Sequence, residues 1–416
     1  MFITNKNIKN KFKIACDFSY NILSSIISVG VLQLLLYPML AKTFNSKDYG
    51  QLLTIMGIVN TISSSIGNTL NNTRLIQNTK YEDKKLTGDF NILLAVANIF
   101  GFFLTIIIGN ILFMHNLITN ILLSILVVLI SIKSYFLVAY RLKLNYKLNL
   151  LSSIITSIGY LVGIAIVNYT LIWPLAFIVA EIFNIVFLFF TIDLHKEPYK
   201  VTELFKNTAS KYSLLILTGL IGNLLVYLDR LIIYPVLGGE YVSAYTTAAL
   251  FGKSFGIVMT PIAGVLLSYF SQKTFVMTKK RFWKMNLMIF IFSTLFFFFS
   301  LIAAPWFTEF FYPTLVDGAR SYILYANIAA IIGVTSSIIQ PSVLKFAPTY
   351  WQVVKEIIYG IIYIGLSFVL LKEYGIIGFC WAAIIANSIK LFFLCIIGTV
   401  FIEQKYCKIK DGIKNE

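Results

Sequence analysis

The sequence predicts an all-α polytopic membrane protein of about twelve transmembrane helices, on three observations. Hydrophobic residues fill 58% of the 416 positions and charged residues only 12%, whereas soluble domains lie near about 45–50% and about 25%. The apolar residues come in blocks, Ile22–Leu36, Ile92–Phe113 and Leu287–Ala304 among them, too long and too poor in charge for the core helices of a soluble protein. The basic residues gather in short segments between these blocks, as they do in the cytoplasmic loops of membrane proteins. A crossing helix needs roughly 20 apolar residues, so twelve use about 240 positions and leave no room for a sizeable soluble domain.

The spans follow one another between turn signals. A basic arm leads into 18–40; no small-residue cleavage site closes that apolar run, so it reads as a membrane helix and not as a removed signal peptide. Tyr37-Pro38 ends it, and Asp48-Tyr49-Gly50 opens 50–72, which stops at Arg74. Spans 90–113, 117–138, 150–170 and 172–192 complete the first six. Beyond the polar stretch 193–211, the span 212–236 closes at Tyr234-Pro235 and folds back around Tyr241 into 243–270. Then come 285–304, 319–340, 353–371 and 375–402, the last opening at Tyr374-Gly375.

On this plan twenty-six basic residues fall on one side of the membrane, Lys345 and Lys355 counted with the connection after the tenth span, and only Lys42, Lys47, Arg320 and Lys372 on the other. The more basic side is the cytoplasm, so both termini are expected there. Lys133, Arg230, Lys253 and Lys390 remain inside spans.

The net charge of +16 therefore reflects loop topology, and no nucleic-acid partner is expected. Cys16, Cys380, Cys395 and Cys407 show no CxxC spacing, and His115 and His195 are isolated, so neither a disulfide framework nor a metal centre is expected. No GxxxxGK[ST] loop is present, which argues against ATP hydrolysis by this chain.

The central polar stretch invites a search for duplication. Tyr37-Pro38-Met39-Leu40 and Tyr234-Pro235-Val236-Leu237 recur at an offset of 197, and Gly57-Ile58-Val59 and Gly256-Ile257-Val258 at 199. The expected organisation is a six-helix bundle over 1–192, a cytoplasmic linker over 193–211, a second six-helix bundle over 212–402 and a cytoplasmic tail over 403–416. Six spans per half relate the halves by an axis along the membrane normal.

Tyr37-Pro38-Met39-Leu40-Ala41-Lys42-Thr43-Phe44, then Asp48-Tyr49-Gly50 and Arg74, resemble the start of the polysaccharide-exporting branch of the multidrug/oligosaccharidyl-lipid/polysaccharide (MOP) superfamily. Leu228-Asp229-Arg230, Leu237-Gly238-Gly239, Val242, Ala244-Tyr245 and Tyr374-Gly375-Ile376-Ile377-Gly378 continue the likeness, with Ser243 where that family often has glycine. The resemblance implies a MATE-like fold, two six-helix bundles forming a V-shaped central cleft. In the O-antigen and capsule (Wzx-type) branch it implies translocation of a polyprenyl-diphosphate-linked oligosaccharide. The peptidoglycan-precursor flippases are a related branch whose fourteen-span plan is not matched here.

Charged side chains within the hydrocarbon are unfavourable by about 2.5–3.5 kcal/mol on insertion scales, so each asks for a partner, a wet cavity or a cargo. Asp229 and Arg230 sit before the outer end of the seventh span and Lys253 at a similar depth in the eighth. Asp229 and Lys253 are thus candidate partners across the hairpin, leaving Arg230 to face a cavity; the alternative is a closed pair that only fixes two helices. Lys390 in the twelfth span, Lys133 in the fourth and Arg74 at the inner end of the second complete a candidate cationic, substrate-binding set suited to a diphosphate or acidic sugar. Lys133 also has the option of snorkelling to the cytoplasmic surface, and Arg74 of serving as an interfacial anchor. Glu181, central in the sixth span, is the candidate for H+ or Na+ coupling, or for an internal pair. Pro261 is the candidate hinge, while Phe296–Phe299 covers every face of a helix turn and reads as packing and lipid contact.

The function expected is therefore a transporter and not an enzyme: a flippase moving lipid-linked repeat units to the outer leaflet by alternating access through a cationic cleft. Its partners are the undecaprenyl-diphosphate-linked oligosaccharide, membrane lipids, and a polysaccharide polymerase and chain-length regulator. No cofactor is expected, and the location is the bacterial cytoplasmic (inner) membrane. The alternatives are a multidrug exporter of the same fold, whose often cationic substrates a positive cavity disfavours, and a membrane polymerase or ligase, for which the outer loops are too short.

Overall fold

The computed structural model describes residues 16, 19–113, 116–270, 277–348 and 350–414, the side chains of 261, 264, 265, 267–269, 352 and 403–414 apart. His115 lies outside them. Thirteen helices and no strand occur among the described residues, and the chain is an all-α polytopic membrane protein. The helices are α1 (Ser19–Thr43), α2 (Ser46–Asp83), α3 (Asp89–Phe113), α4 (Leu117–Leu142), α5 (Tyr146–Thr170), α6 (Pro174–Thr191), α7 (Phe205–Val226), α8 (Leu228–Leu237), α9 (Gly239–Phe270), α10 (Lys279–Phe311), α11 (Val316–Arg320), α12 (Ile323–Phe346) and α13 (Tyr350–Lys414).

Local chemistry explains the breaks. Pro38 brings no N–H to the helix, and the preceding turn Leu32–Leu36 widens to π geometry. Asn45 caps α2, its Oδ1 accepting from the Asp48 N–H at 2.8 Å. The seventh span is two helices, interrupted where Tyr227 leaves helical geometry (φ −103°, ψ 11°). The eleventh and twelfth spans join at Gly375, whose φ of 60° and ψ of −144° suit glycine.

Nine segments among the described residues are long and apolar enough to cross a bilayer, and Val353–Ile402 holds two spans. The helix α2 falls short because of its polar content. In α2 the hydroxyls of Thr61, Ser63 and Ser65 donate to the carbonyls four residues back at 2.8, 2.7 and 2.6 Å.

The chain divides into two compact units: Met1–Thr43 with Thr54–Leu228, and Phe44–Leu53 with Asp229–Glu416. In the first, Gly159 and Gly163 of α5 lie directly against Ala180 and Ala176 of α6, and Gly67 of α2 against Ser131 and Ser134 of α4. Small residues let membrane helices approach closely where no hydrophobic effect drives them together. In the second, Gly50 of α2 meets Gly239 of α9, and the Phe282 ring of α10 covers Gly398 of α13.

The polar stretch after the sixth span belongs to the first unit and is firmly docked. Asp89 accepts from the Thr202 N–H at 2.7 Å and from Tyr81 Oη at 2.6 Å, while Asn91 donates to the carbonyls of Leu194 (3.1 Å) and Glu197 (2.9 Å). Burial, reinforced by the hydrogen bond to Asp89, pushes the Tyr81 phenol above its ordinary range, so it remains a donor. After one 3-10 turn at Leu194–Lys196, the next α-helix starts at Phe205. Pro261 falls in the uninterrupted run of α9.

Candidate functional site

The second unit gathers most of the intramembrane charge. At the start of α8, Asp229 is 5% exposed and accepts from Lys253 Nζ of α9 at 2.5 Å and from the Arg230 N–H at 2.8 Å. The Arg230 guanidinium donates through Nη1 to the Leu53 carbonyl at 3.0 Å. Lys253 also lies 5.7 Å over the Tyr245 ring, and its side chain is 35% exposed. Next to it, Asn327 of α12 accepts from the Gly252 N–H and donates to the Ala248 carbonyl at 3.1 Å, bracing α9.

A second charged group lies on α13. Lys390 approaches Glu356 at 3.5 Å and lies 4.4 Å over the Tyr359 ring. Lys355 contacts the same carboxylate at 2.8 Å. Tyr359 donates to Asn387 at 3.1 Å, and Asn387 donates to the Ala329 carbonyl at 3.0 Å. Aromatic contacts link the two groups: Tyr245 to Phe379 (5.0 Å), Phe379 to Tyr363 (5.9 Å) and Tyr363 to Tyr359 (5.5 Å). These membrane helices therefore carry Arg230, Lys253, Lys355 and Lys390 against Asp229 and Glu356, a positive balance.

The sequence-predicted residues of the first unit are otherwise engaged. Lys133 does not run to the membrane surface; its ammonium meets Glu181 at 2.5 Å, with the Glu181 side chain only 3% exposed. Glu181 Oε2 is buried with no hydrogen-bond partner. One turn on, Asn184 donates to Ser152 Oγ at 2.8 Å and Thr156 Oγ1 at 2.5 Å. Arg74 is neither open to a cargo nor a plain interfacial anchor. Both its Nη atoms donate to Glu197, at 2.8 and 2.7 Å, and it stacks 4.4 Å from the Phe90 centroid with 8% of its side chain exposed. Burial works against that charge, but Glu197 and Tyr135 together more than offset it and hold the guanidinium above its ordinary range.

Three partners escaped the sequence reading. Glu197 belongs to the expected linker, and Glu356 lies one turn inside a span. Lys355, assigned to a cytoplasmic connection, is on α13 with a side chain 1% exposed. The spacing of Lys355-Glu356 and Tyr359, with a cation in the partner span, is the signal available in the sequence. Two grooves among the described residues lie apart from these groups: one of about 540 Å³ between α10 and α13, beside Trp283 and Phe392, and one of about 410 Å³ between α2, α3 and α7. Both are apolar and hold none of these charges.

No protein-family model matches the sequence, and no curated protein matches it. The fold does have solved counterparts. The lipid II flippase MurJ in an inward closed conformation aligns at 18% identity over 93% of this chain and 90% of that one, with a TM-score of 0.65. An inward-facing multidrug resistance MATE family transporter of the MOP superfamily aligns at 12% over 95% and 96%, with a TM-score of 0.64. The Vibrio cholerae MATE transporter VcmN in its bent form gives 13% over 93% and 96%, and 0.59. The chain has the fold of these transporters.

Proposed function

We propose that this chain is a flippase that moves a polyprenyl-diphosphate-linked oligosaccharide, of the O-antigen or capsule type, from the cytoplasmic to the outer leaflet by alternating access. The observation that carries this reading is the positive balance of the charged groups on α8, α9 and α13. Cations held within a bilayer suit a polyanion such as a diphosphate, because opposite charge offsets the unfavourable burial of each. They disfavour a cationic drug for the same reason. A lipid II flippase shares the fold, so a lipid-linked cargo is compatible with it.

In this mechanism Arg230, Lys253 and Lys390 hold the diphosphate while the prenyl chain stays in lipid, so polar sugars avoid the hydrocarbon. The buried pair Lys133–Glu181 is the place where H+ or Na+ would couple to the cycle, and Pro261 the place where α9 would bend. Both termini lie in the cytoplasm, the side that the basic-residue bias supports, and the membrane is the bacterial inner membrane that such a cargo implies.

The test is the amount and leaflet of carrier-linked oligosaccharide in a strain deleted for the gene, with and without its restoration. Accumulation on the cytoplasmic face, reversed by the restored gene, is the expected result. Units that reach the outer face but stay unpolymerised would instead indicate an enzyme. An unchanged pool would favour a drug exporter.

A further inference from the structure

Glu356 is the group the proposed function leaves unexplained. Its carboxylate faces two ammoniums, Lys355 at 2.8 Å and Lys390 at 3.5 Å. Glu356 nevertheless keeps 31% of its side chain exposed, while Lys355 and Lys390 keep 1% and 15%. It also lies off the lipid-facing row of its helix, which is Val353, Ile357, Ile361, Ile364 and Phe368. A lysine ammonium has three N–H donors, yet Lys355 Nζ is buried and makes no hydrogen bond of good geometry. The lysines are thus fixed and underused, and the one anion they share is the accessible member of the set.

We infer that Glu356 is a tethered counter-anion occupying a phosphate subsite built from Lys355 and Lys390, and that the cargo's diphosphate displaces it. The subsite rests on the flippase reading and names residues that would receive its diphosphate. Lys355 and Lys390 supply the charge, Tyr359, itself bonded to Asn387, holds Lys390 in place, and Glu356 offsets half of the lysines' charge while no cargo is present. Moving the diphosphate onto the lysines and the carboxylate off them exchanges one anion for another. The lysines then never stand unpaired in the membrane, which would be far less favourable.

The experiment uses the full-length purified chain with farnesyl diphosphate as probe and farnesol as control, read by displacement of a fluorescent prenyl diphosphate. Removing the internal competitor with Glu356→Gln is expected to tighten farnesyl diphosphate binding by about fivefold or more, and Lys355→Gln or Lys390→Gln to weaken it comparably. Should Glu356→Gln fail to fold, Glu356→Asp draws the carboxylate back by one methylene and is expected to tighten binding by a smaller factor. Wild-type binding that either glutamate variant leaves unchanged or weakens overturns this inference while leaving the flippase reading standing. Absence of farnesyl diphosphate binding by the wild type and every variant overturns both.

Discussion

Ser46 and Ser243 stand hydroxyl to hydroxyl at 2.8 Å, 197 positions apart, the same offset that separates the two Tyr-Pro motifs. Equivalent positions of the internal repeat thus meet where the first turn of α2 crosses the first turn of α9. Four residues after Ser46 and four before Ser243, Gly50 and Gly239 let the two backbones touch, a small-residue crossing of the kind membrane helices favour.

That crossing predicts a graded stability series. Ser46→Ala removes one interhelical hydrogen bond and is expected to lower stability by about 0.6 kcal/mol. Gly50→Val forces a side chain into the Gly239 carbonyl and is expected to lower it by about 1–3 kcal/mol. Thermal unfolding of the purified chain checks the order; equal midpoints for the two variants would show that the crossing carries no strain-sensitive packing.

The pair Asp229–Lys253 predicts charge-swap rescue. Asp229→Lys alone places like charges together and should abolish export, and adding Lys253→Asp should restore a measurable part of it. Surface glycan in the single and double variants is the readout. Failure of the double variant at normal protein levels would detach the pair from function.

The pair Lys133–Glu181 predicts non-additivity. Breaking a buried pair by removing one partner leaves an uncompensated charge and costs about 3–5 kcal/mol, whereas removing both is often near neutral. Lys133→Met or Glu181→Gln should therefore each destabilise more than the double variant. A double variant that loses the sum of the two single effects would contradict the pairing.

Arg74 and Glu197 predict a protection effect. The bidentate bond ties the stretch before α7 to α2, so Arg74→Ala should expose 193–204 to limited proteolysis. Arg74→Lys should protect poorly, because an ammonium cannot reproduce the fork. Unchanged cleavage in Arg74→Ala would leave the tether without mechanical effect.

Much of the fold was legible because bilayer thickness fixes span length: Gly375 falls at the break between the last two spans and Tyr234-Pro235 within the last turn of α8, whereas Tyr37-Pro38 follows a π turn inside α1, which runs on to Thr43. The site was only partly legible. Asp229 and Lys253 lie on adjacent helices joined by one short turn, so depth alone paired them. Arg74 and Glu197 are 123 residues apart and Lys133 and Glu181 are 48 apart, and no local pattern carries that information. Lys355 misled because a lysine near a span end reads as a loop charge unless its helix is known to begin earlier. Arg230, expected to face open space, donates to a backbone carbonyl that a side-chain inventory does not reveal.

The measurement that bears most directly on the central claim is translocation of a fluorescent prenyl-diphosphate oligosaccharide in vesicles reconstituted with the purified chain. Wild type is expected to move the probe between leaflets, and Arg230→Ala with Lys390→Ala to slow it by at least about tenfold while inserting normally, a loss of about 1.4 kcal/mol or more. Equal rates for wild type and the double variant would contradict the assignment of these cations to the cargo's diphosphate.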